Sequence, residues 1–151
     1  MTTKPLSEIS PGIKGRIAGI DLTGKVRRYL SDMGMVIGSE IQMERTAPLG
    51  DPIEIKIKGY ALTLRKETAS KITIEMEIVP LSMIESGRDA VVAGHLGGDN
   101  LVRKMSELGI NEGARLGVME NRGHGPLRLI FSEAHLEIGR GMAQKILVKE
   151  L

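Results

Sequence analysis

The sequence predicts a mostly β protein made of two small antiparallel β-barrels in tandem, each with one inserted short α-helix. A helix-to-strand junction at 31–41 returns at 106–116 with its glycines in phase. Alternating polarity indicates about five short strands in each copy. So few strands and a single helix cannot build two full layers, and a small barrel is the simplest way to bury their apolar faces.

The chain is an internal duplication. Gly34 and Gly109 lie 75 positions apart, as do other glycines of the two copies. One deletion near Asp51 changes the offset to 74, after which Pro52 matches Pro126. Because repeats of this length are whole structural units, the sequence predicts two domains, residues 1–78 and 79–151.

The first copy opens with a strand and a helix. A Pro11-Gly12 turn precedes a strand at 15–20. A helix is predicted from about Lys25 to Met33, and Gly34 is suited to the left-handed position that ends it. Its apolar residues share one face, which we expect to be buried: Val26, Tyr29, Leu30 and Met33. In the second copy Asp99 is the expected N-cap.

The rest of each copy is predicted to be strands. Ile53, Ile55 and Ile57 alternate with polar residues, which indicates one buried face. A turn at Gly59 leads to a strand at 61–64, and a one-turn segment around 67–70 leads to a last strand from Ile72. The second copy has the equivalent segments at 116–118, 127–131, 136–138 and 146–148.

Composition excludes several classes of function. The net charge of +2 does not point to nucleic acid, and three aromatic residues do not supply a platform for stacking bases. The absence of cysteine excludes disulfides and thiolate metal sites. No signal peptide, membrane span or catalytic motif is found, so we expect a soluble protein that is not an enzyme, has no cofactor, and does not insert into the membrane or bind nucleic acid.

The histidines do not form an evident metal site. His95, His124 and His135 fall on three different predicted elements. Glu133, His135 and Glu137 share one strand face by period two, so a surface cation site stays open beside the simpler interpretation of a solvated face. We predict no metal site.

The stiffest loop of the chain lies at 47–52, between two predicted strands. Its sequence Ala-Pro-Leu-Gly-Asp-Pro contains two prolines and a glycine, which favour one rigid shape. Leu49 near its tip is suited to anchor a partner. The alternative is that Leu49 folds back over the open end of the barrel.

Three motifs of the first copy resemble a known family. They are Arg-Tyr-Leu-Ser-Asp-Met-Gly at 28–34, the loop at 47–52, and Leu-Arg-Lys-Glu at 64–67. Together they resemble ferrous iron transport protein A, the FeoA family. The second copy resembles it less closely, because both the loop and the Arg-Lys-Glu segment are replaced.

This resemblance implies SH3-like barrels and a small cytosolic accessory of the FeoB-type ferrous iron transporter, a membrane protein with a cytosolic GTPase domain. With the stiffness of the loop, it leads us to predict a partner-binding site at Pro48, Leu49, Gly50, Asp51, Met33, Gly34, Arg65 and Lys66. Self-association stays open. The alternative function is a metal-responsive regulatory module, because similar domains occur in iron-dependent repressors.

Overall fold

The computed structural model describes residues 1–151 and contains twelve strands and four helices. The chain forms two compact units. The first, Thr3–Met76, is called the first domain; the second domain is Glu77–Leu151 together with Met1–Thr2. The predicted mostly β class, with two small units of antiparallel strands that each carry an inserted short helix, is confirmed.

The first domain is one six-stranded sheet. Its strands are β1 (Thr2–Pro5), β2 (Lys14–Ile20), β3 (Glu40–Thr46), β4 (Ile53–Ile57), β5 (Tyr60–Leu64) and β6 (Ile72–Met76). They are ordered β1-β6-β2-β3-β4-β5. Helix α1 (Gly24–Asp32) connects β2 and β3, and the one-turn helix α2 (Lys66–Ala69) connects β5 and β6.

The second domain repeats this arrangement. Its elements are β7 (Val79–Pro80), β8 (Asp89–His95), α3 (Asp99–Leu108), β9 (Arg115–Glu120), β10 (Leu127–Phe131), β11 (Ala134–Ile138), α4 (Arg140–Ala143) and β12 (Ile146–Glu150). The strand order of its sheet, β11-β10-β9-β8-β12-β7, is the order of the first sheet starting from the opposite edge. Strands β3 and β9 start 75 residues apart, whereas β4 and β10 start 74 residues apart. The deletion in the second copy therefore lies in the loop between β9 and β10, which is equivalent to the β3–β4 loop, as the sequence predicts.

Neither sheet closes by pairing its two edge strands. In the first domain the edges are β1 and β5. Helix α2 contacts the 3-10 turn Leu6–Glu8, and α4 contacts the equivalent turn Leu81–Met83. Because α2 follows β5 and the turn follows β1, this contact brings the two edges together at one end and leaves the rest of β5 unpaired.

The core of the first domain follows the period-two pattern of its strands. Ile53, Ile55 and Ile57 are all buried, as predicted. The helix face is different: Leu30 is 1% exposed, but Tyr29 is 55% exposed and Val26 47%. Met33 is only half-buried. The prediction that these four side chains are all buried is therefore wrong for three of them.

A residue after the helix takes the core position expected of Met33. Gly34 has φ +94° and reverses the chain direction. The N–H of Met35 then donates to the carbonyl of Leu30 at 2.9 Å, and the Met35 side chain is fully buried. Helix α1 therefore buries only a narrow strip of its surface, which contains Leu30.

Two smaller expectations also change. Strands β1 and β7 precede the first strand predicted in each copy. Asp99 is the first residue of α3 and not its N-cap; Gly98 takes that position, with no side-chain hydrogen bond to the helix. None of the helices is both long and apolar enough to cross a bilayer.

Candidate partner-binding site

The β3–β4 loop has one hydrogen-bonded shape. The N–H of Gly50 donates to the carbonyl of Ala47 at 2.7 Å, and the N–H of Ala47 donates to the carbonyl of Pro52 at 3.0 Å. Pro48 and Leu49 hold the two central positions of the resulting turn. Proline is favoured at the first of these and glycine after the second, so the sequence specifies this turn. Gly50 has φ +86°, which other residues adopt only with strain.

Leu49 points away from the domain. Its side chain is 96% exposed. The alternative in which it folds back over the open end of the barrel is therefore wrong. A fully exposed leucine on a hydrogen-bonded turn presents its whole apolar surface to a partner.

Asp51 fixes the loop to the start of α2. Its Oδ1 accepts a hydrogen bond from the backbone N–H of Lys66 at 2.9 Å. Its Oδ2 lies 3.9 Å from Nη1 of Arg65. The carboxylate therefore satisfies a free N–H at the helix start, as a capping residue does. The structure thus brings Asp51, Arg65 and Lys66 together with the loop, as the predicted site requires.

Met33 and Gly34 lie elsewhere. A Cβ at Gly34 would come within 3.0 Å of Lys58 Cδ. Lys58 and Gly59, at φ +49° and +86°, form the tight turn between β4 and β5. This turn and the β3–β4 loop are at opposite ends of β4, so the expectation that the Met33–Gly34 junction neighbours the loop is wrong.

The first domain also exposes apolar residues that the sequence analysis did not select. Tyr29, Val36 and Ile37 are all exposed. The residues 75 positions later are polar: Lys104, Asn111 and Glu112. A comparison of the two copies position by position could have found this difference, because apolar residues that the repeat does not keep are dispensable for the shared core.

The second domain holds the corresponding loop by other chemistry. Oδ1 of Asn121 accepts hydrogen bonds from Nη2 of Arg140 at 2.7 Å and from the N–H of Gly123 at 3.0 Å. Nε of Arg140 donates to the carbonyl of Gly125 at 2.9 Å. His124 stands in the position of Leu49, so this loop presents no apolar anchor.

A cleft of about 260 Å³ lies beside this second loop. Glu120, Arg122, His124, Arg128 and Glu137 are among the residues that line it. Glu120 accepts a hydrogen bond from Nε of Arg122 and lies 3.9 Å from Arg128 Nη1, so it engages both cations of the cleft. No cluster of three or more His, Cys, Asp or Glu side chains is placed to hold a metal ion.

One family of domains matches nearly the whole chain. The FeoA domain family matches residues 4–76 and again residues 79–150. The solved structure of iron(II) transport protein A from Clostridium thermocellum is 33% identical, with a TM-score of 0.74, and the match covers 97% of this chain and 88% of that one.

Two curated relatives match about half of the chain. The Fe(2+) transport protein A/Fe(2+) transporter FeoB fusion protein of Porphyromonas gingivalis is 37% identical over 71 residues, which are 47% of this chain and 8% of the fusion protein. The putative Fe(2+) transport protein A of Methanocaldococcus jannaschii is 31% identical over 71 residues, 47% of this chain and 85% of that protein. This chain thus spans only a small part of the fusion protein's length.

Proposed function

This chain belongs to the FeoA family, with two FeoA domains in tandem, and we propose that it is a cytoplasmic adaptor of ferrous iron transport that docks on a FeoB-type transporter. FeoA domains are non-enzymatic accessory domains, which confirms the prediction that the chain is not an enzyme. The proposed docking site is the β3–β4 loop of the first domain.

The exposure of Leu49 carries this proposal. The side chain of a leucine that is 96% exposed does not stabilise its own domain by burial. Its turn is closed by two backbone hydrogen bonds and fixed to α2 by Asp51, so little conformational entropy is lost when it binds. The fusion of the two kinds of protein in Porphyromonas gingivalis supports the choice of partner, because fused domains work next to each other.

The proposal also predicts the size of the effect. Burial of a leucine side chain contributes roughly 1.5–3 kcal/mol, and about 1.4 kcal/mol corresponds to a tenfold change in affinity. Arg65 and Lys66 lie beside the loop and add positive charge to the same surface. We infer that this charge affects the rate of association more than its strength.

The test is a binding measurement between the full-length chain and the FeoB-type transporter of the same cell, solubilised in detergent and examined with and without guanine nucleotides. Leu49→Glu should weaken binding at least tenfold while the circular dichroism spectrum stays unchanged. Asp51→Lys should also weaken it, since it removes the bond that positions the loop.

The matched control is His124→Glu, which makes the same side chain at the equivalent position of the second domain. It should leave binding unchanged. Equal binding by the wild type and Leu49→Glu would refute the site. A folded wild-type chain that does not bind the transporter in any nucleotide state would refute the adaptor function, and a titration with Fe(II) would then test the metal-responsive alternative.

A further inference from the structure

Strand β5 is an open edge of the first sheet. It pairs only with β4, with Ile57 opposite Tyr60 and Ile55 opposite Leu62. Ile57 and Tyr60 flank a two-residue turn, and in such a hairpin the flanking pair exchanges both hydrogen bonds. By alternation, the N–H and C=O groups of Ala61 and Thr63 point away from the sheet. Outside the β4–β5 ladder no backbone hydrogen bond involves these two residues, and both are exposed.

The other three sheet edges carry features that discourage pairing. Strand β1 contains Lys4 and Pro5, and β7 has two residues, one of which is Pro80. Strand β11 carries His135 and Glu137 at exposed positions. Short strands, prolines and charges are the usual means by which proteins protect an edge. Strand β5, Tyr-Ala-Leu-Thr-Leu, has none of them.

The duplication makes the contrast between β5 and β11 specific. The two strands are equivalent, 74 positions apart, and their inward-facing residues stay apolar. The outward-facing residues differ: Ala61 corresponds to His135, and Thr63 corresponds to Glu137. The first domain therefore lacks the imidazole and the carboxylate that this same fold accepts at the same edge positions.

The charges around β5 indicate what kind of segment it receives. Lys56 is the cross-strand neighbour of Ala61, and Arg65 and Lys66 follow the end of the strand. Two of the acidic residues nearby are engaged: Glu54 pairs with Arg45 at 3.1 Å, and Asp51 accepts the N–H of Lys66 and lies 3.9 Å from Nη1 of Arg65. Glu67, beside Lys66, is exposed, so Lys56 and Lys66 are the cations of this border that no carboxylate pairs with. In the second domain Ile130 and Gly139 replace Lys56 and Arg65, and only Arg140, in the position of Lys66, keeps a positive charge; its guanidinium is bonded to Asn121 and Gly125.

We propose that β5 binds an extended, acidic segment of another polypeptide, which adds to the first sheet as a further strand. The backbone groups of Ala61 and Thr63 supply the ladder hydrogen bonds, and Lys56, Arg65 and Lys66 select acidic flanks. A second copy of β5 fits less well, because antiparallel self-pairing centred on Leu62 places Lys66 opposite Lys58.

The test uses the full-length, ¹⁵N-labelled chain and a synthetic strand peptide, acetyl-Asp-Glu-Thr-Val-Thr-Val-Thr-Glu-Asp-amide. The amide signals of Ala61 and Thr63 should shift on titration. A peptide with lysine in place of every acidic residue should bind at least tenfold more weakly. Ala61→Pro, which removes an outward N–H, and Thr63→Glu, which introduces the residue found in β11, should each lower the affinity for the acidic peptide at least tenfold.

The controls separate this surface from the β3–β4 loop. His135→Pro in the second domain and Leu49→Gln, which removes the apolar anchor without adding a charge beside Arg65 and Lys66, should both leave peptide binding unchanged. The proposal is overturned if the acidic peptide shifts no β5 amide, if both peptides bind equally, or if Thr63→Glu binds like the wild type. Shifts of the β5 amides that depend on protein concentration alone would instead assign this edge to a second copy of the chain.

Discussion

Asp51 shows how one side chain can join two separate segments. Its carboxylate accepts the N–H of Lys66, fifteen positions further along the chain. The two residues meet because the β4–β5 hairpin between them folds back on itself, with Ile53 opposite Leu64. The loop motif predicts Asp51 as a site residue, but no periodicity indicates this hydrogen bond, because the bond depends on the register of the hairpin.

The loss of this bond should destabilise the first domain. Asp51→Ala leaves the N–H of Lys66 without its partner at the start of α2. We expect a loss of roughly 1 kcal/mol in the free energy of unfolding, the usual effect of removing a capping side chain. Urea unfolding followed by circular dichroism measures it. Asp51→Asn, which keeps an acceptor oxygen, should restore most of the difference.

Glu40→Ala is the control for Asp51→Ala, because Glu40 lies in the same domain and pairs only with Arg16, at 3.5 Å on the surface. Such exposed ion pairs contribute little, so the change should stay within about 0.5 kcal/mol. If Asp51→Ala were no more destabilising than Glu40→Ala, the carboxylate would not be holding the loop to α2.

At the scale of elements, strands were easier to predict than the buried face of the helix. The period of two places Ile53, Ile55 and Ile57 on one face of strand β4, and all three side chains are buried. The helical period places Tyr29 and Leu30 on the same side of α1, but it does not show how much of that side is buried in the folded domain. Strands β1 and β7 were missed because Thr-Thr-Lys-Pro and Val-Pro show no alternation.

The narrow buried face of α1 leads to a prediction. Tyr29→Lys introduces the residue that the second domain has at this position, on a side chain that is 55% exposed. It should change the free energy of unfolding by no more than about 0.5 kcal/mol. Leu30→Ala empties a fully buried position and should cost about 2–5 kcal/mol. Denaturant unfolding of the two variants makes the comparison.

The outcome for Tyr29 also bears on function. If Tyr29→Lys were as destabilising as Leu30→Ala, the whole apolar face of α1 would belong to the core, as its periodicity first indicates. If stability is kept, the exposed residues Tyr29, Val36 and Ile37 remain a surface that the second domain does not share.

At the scale of the whole molecule, duplication separates what the fold needs from what one copy adds. Both domains keep the strand order, the helix-ending glycine and the contact between the one-turn helix and the 3-10 turn. Both also attach the same loop to the start of the one-turn helix, but the first uses a loop carboxylate on a helix N–H and the second uses Arg140 on loop oxygens. The attachment persists although its chemistry is reversed.

Each attachment should therefore control its own loop alone. Arg140→Ala removes hydrogen bonds to Gly125 and to Asn121, and Asn121 in turn holds the N–H of Gly123. A loss of about 1 kcal/mol corresponds to roughly fivefold faster amide exchange through local opening, which we expect at Gly123. The amide of Gly50, bonded to Ala47 in the first domain, should exchange as in the wild type. Asp51→Ala should give the reverse result. Amide exchange followed by NMR resolves both sites in one sample.

Faster exchange at both glycines in either variant would show that the loops are coupled. The transporter-binding effect of Leu49→Glu could then no longer be assigned to the first domain alone.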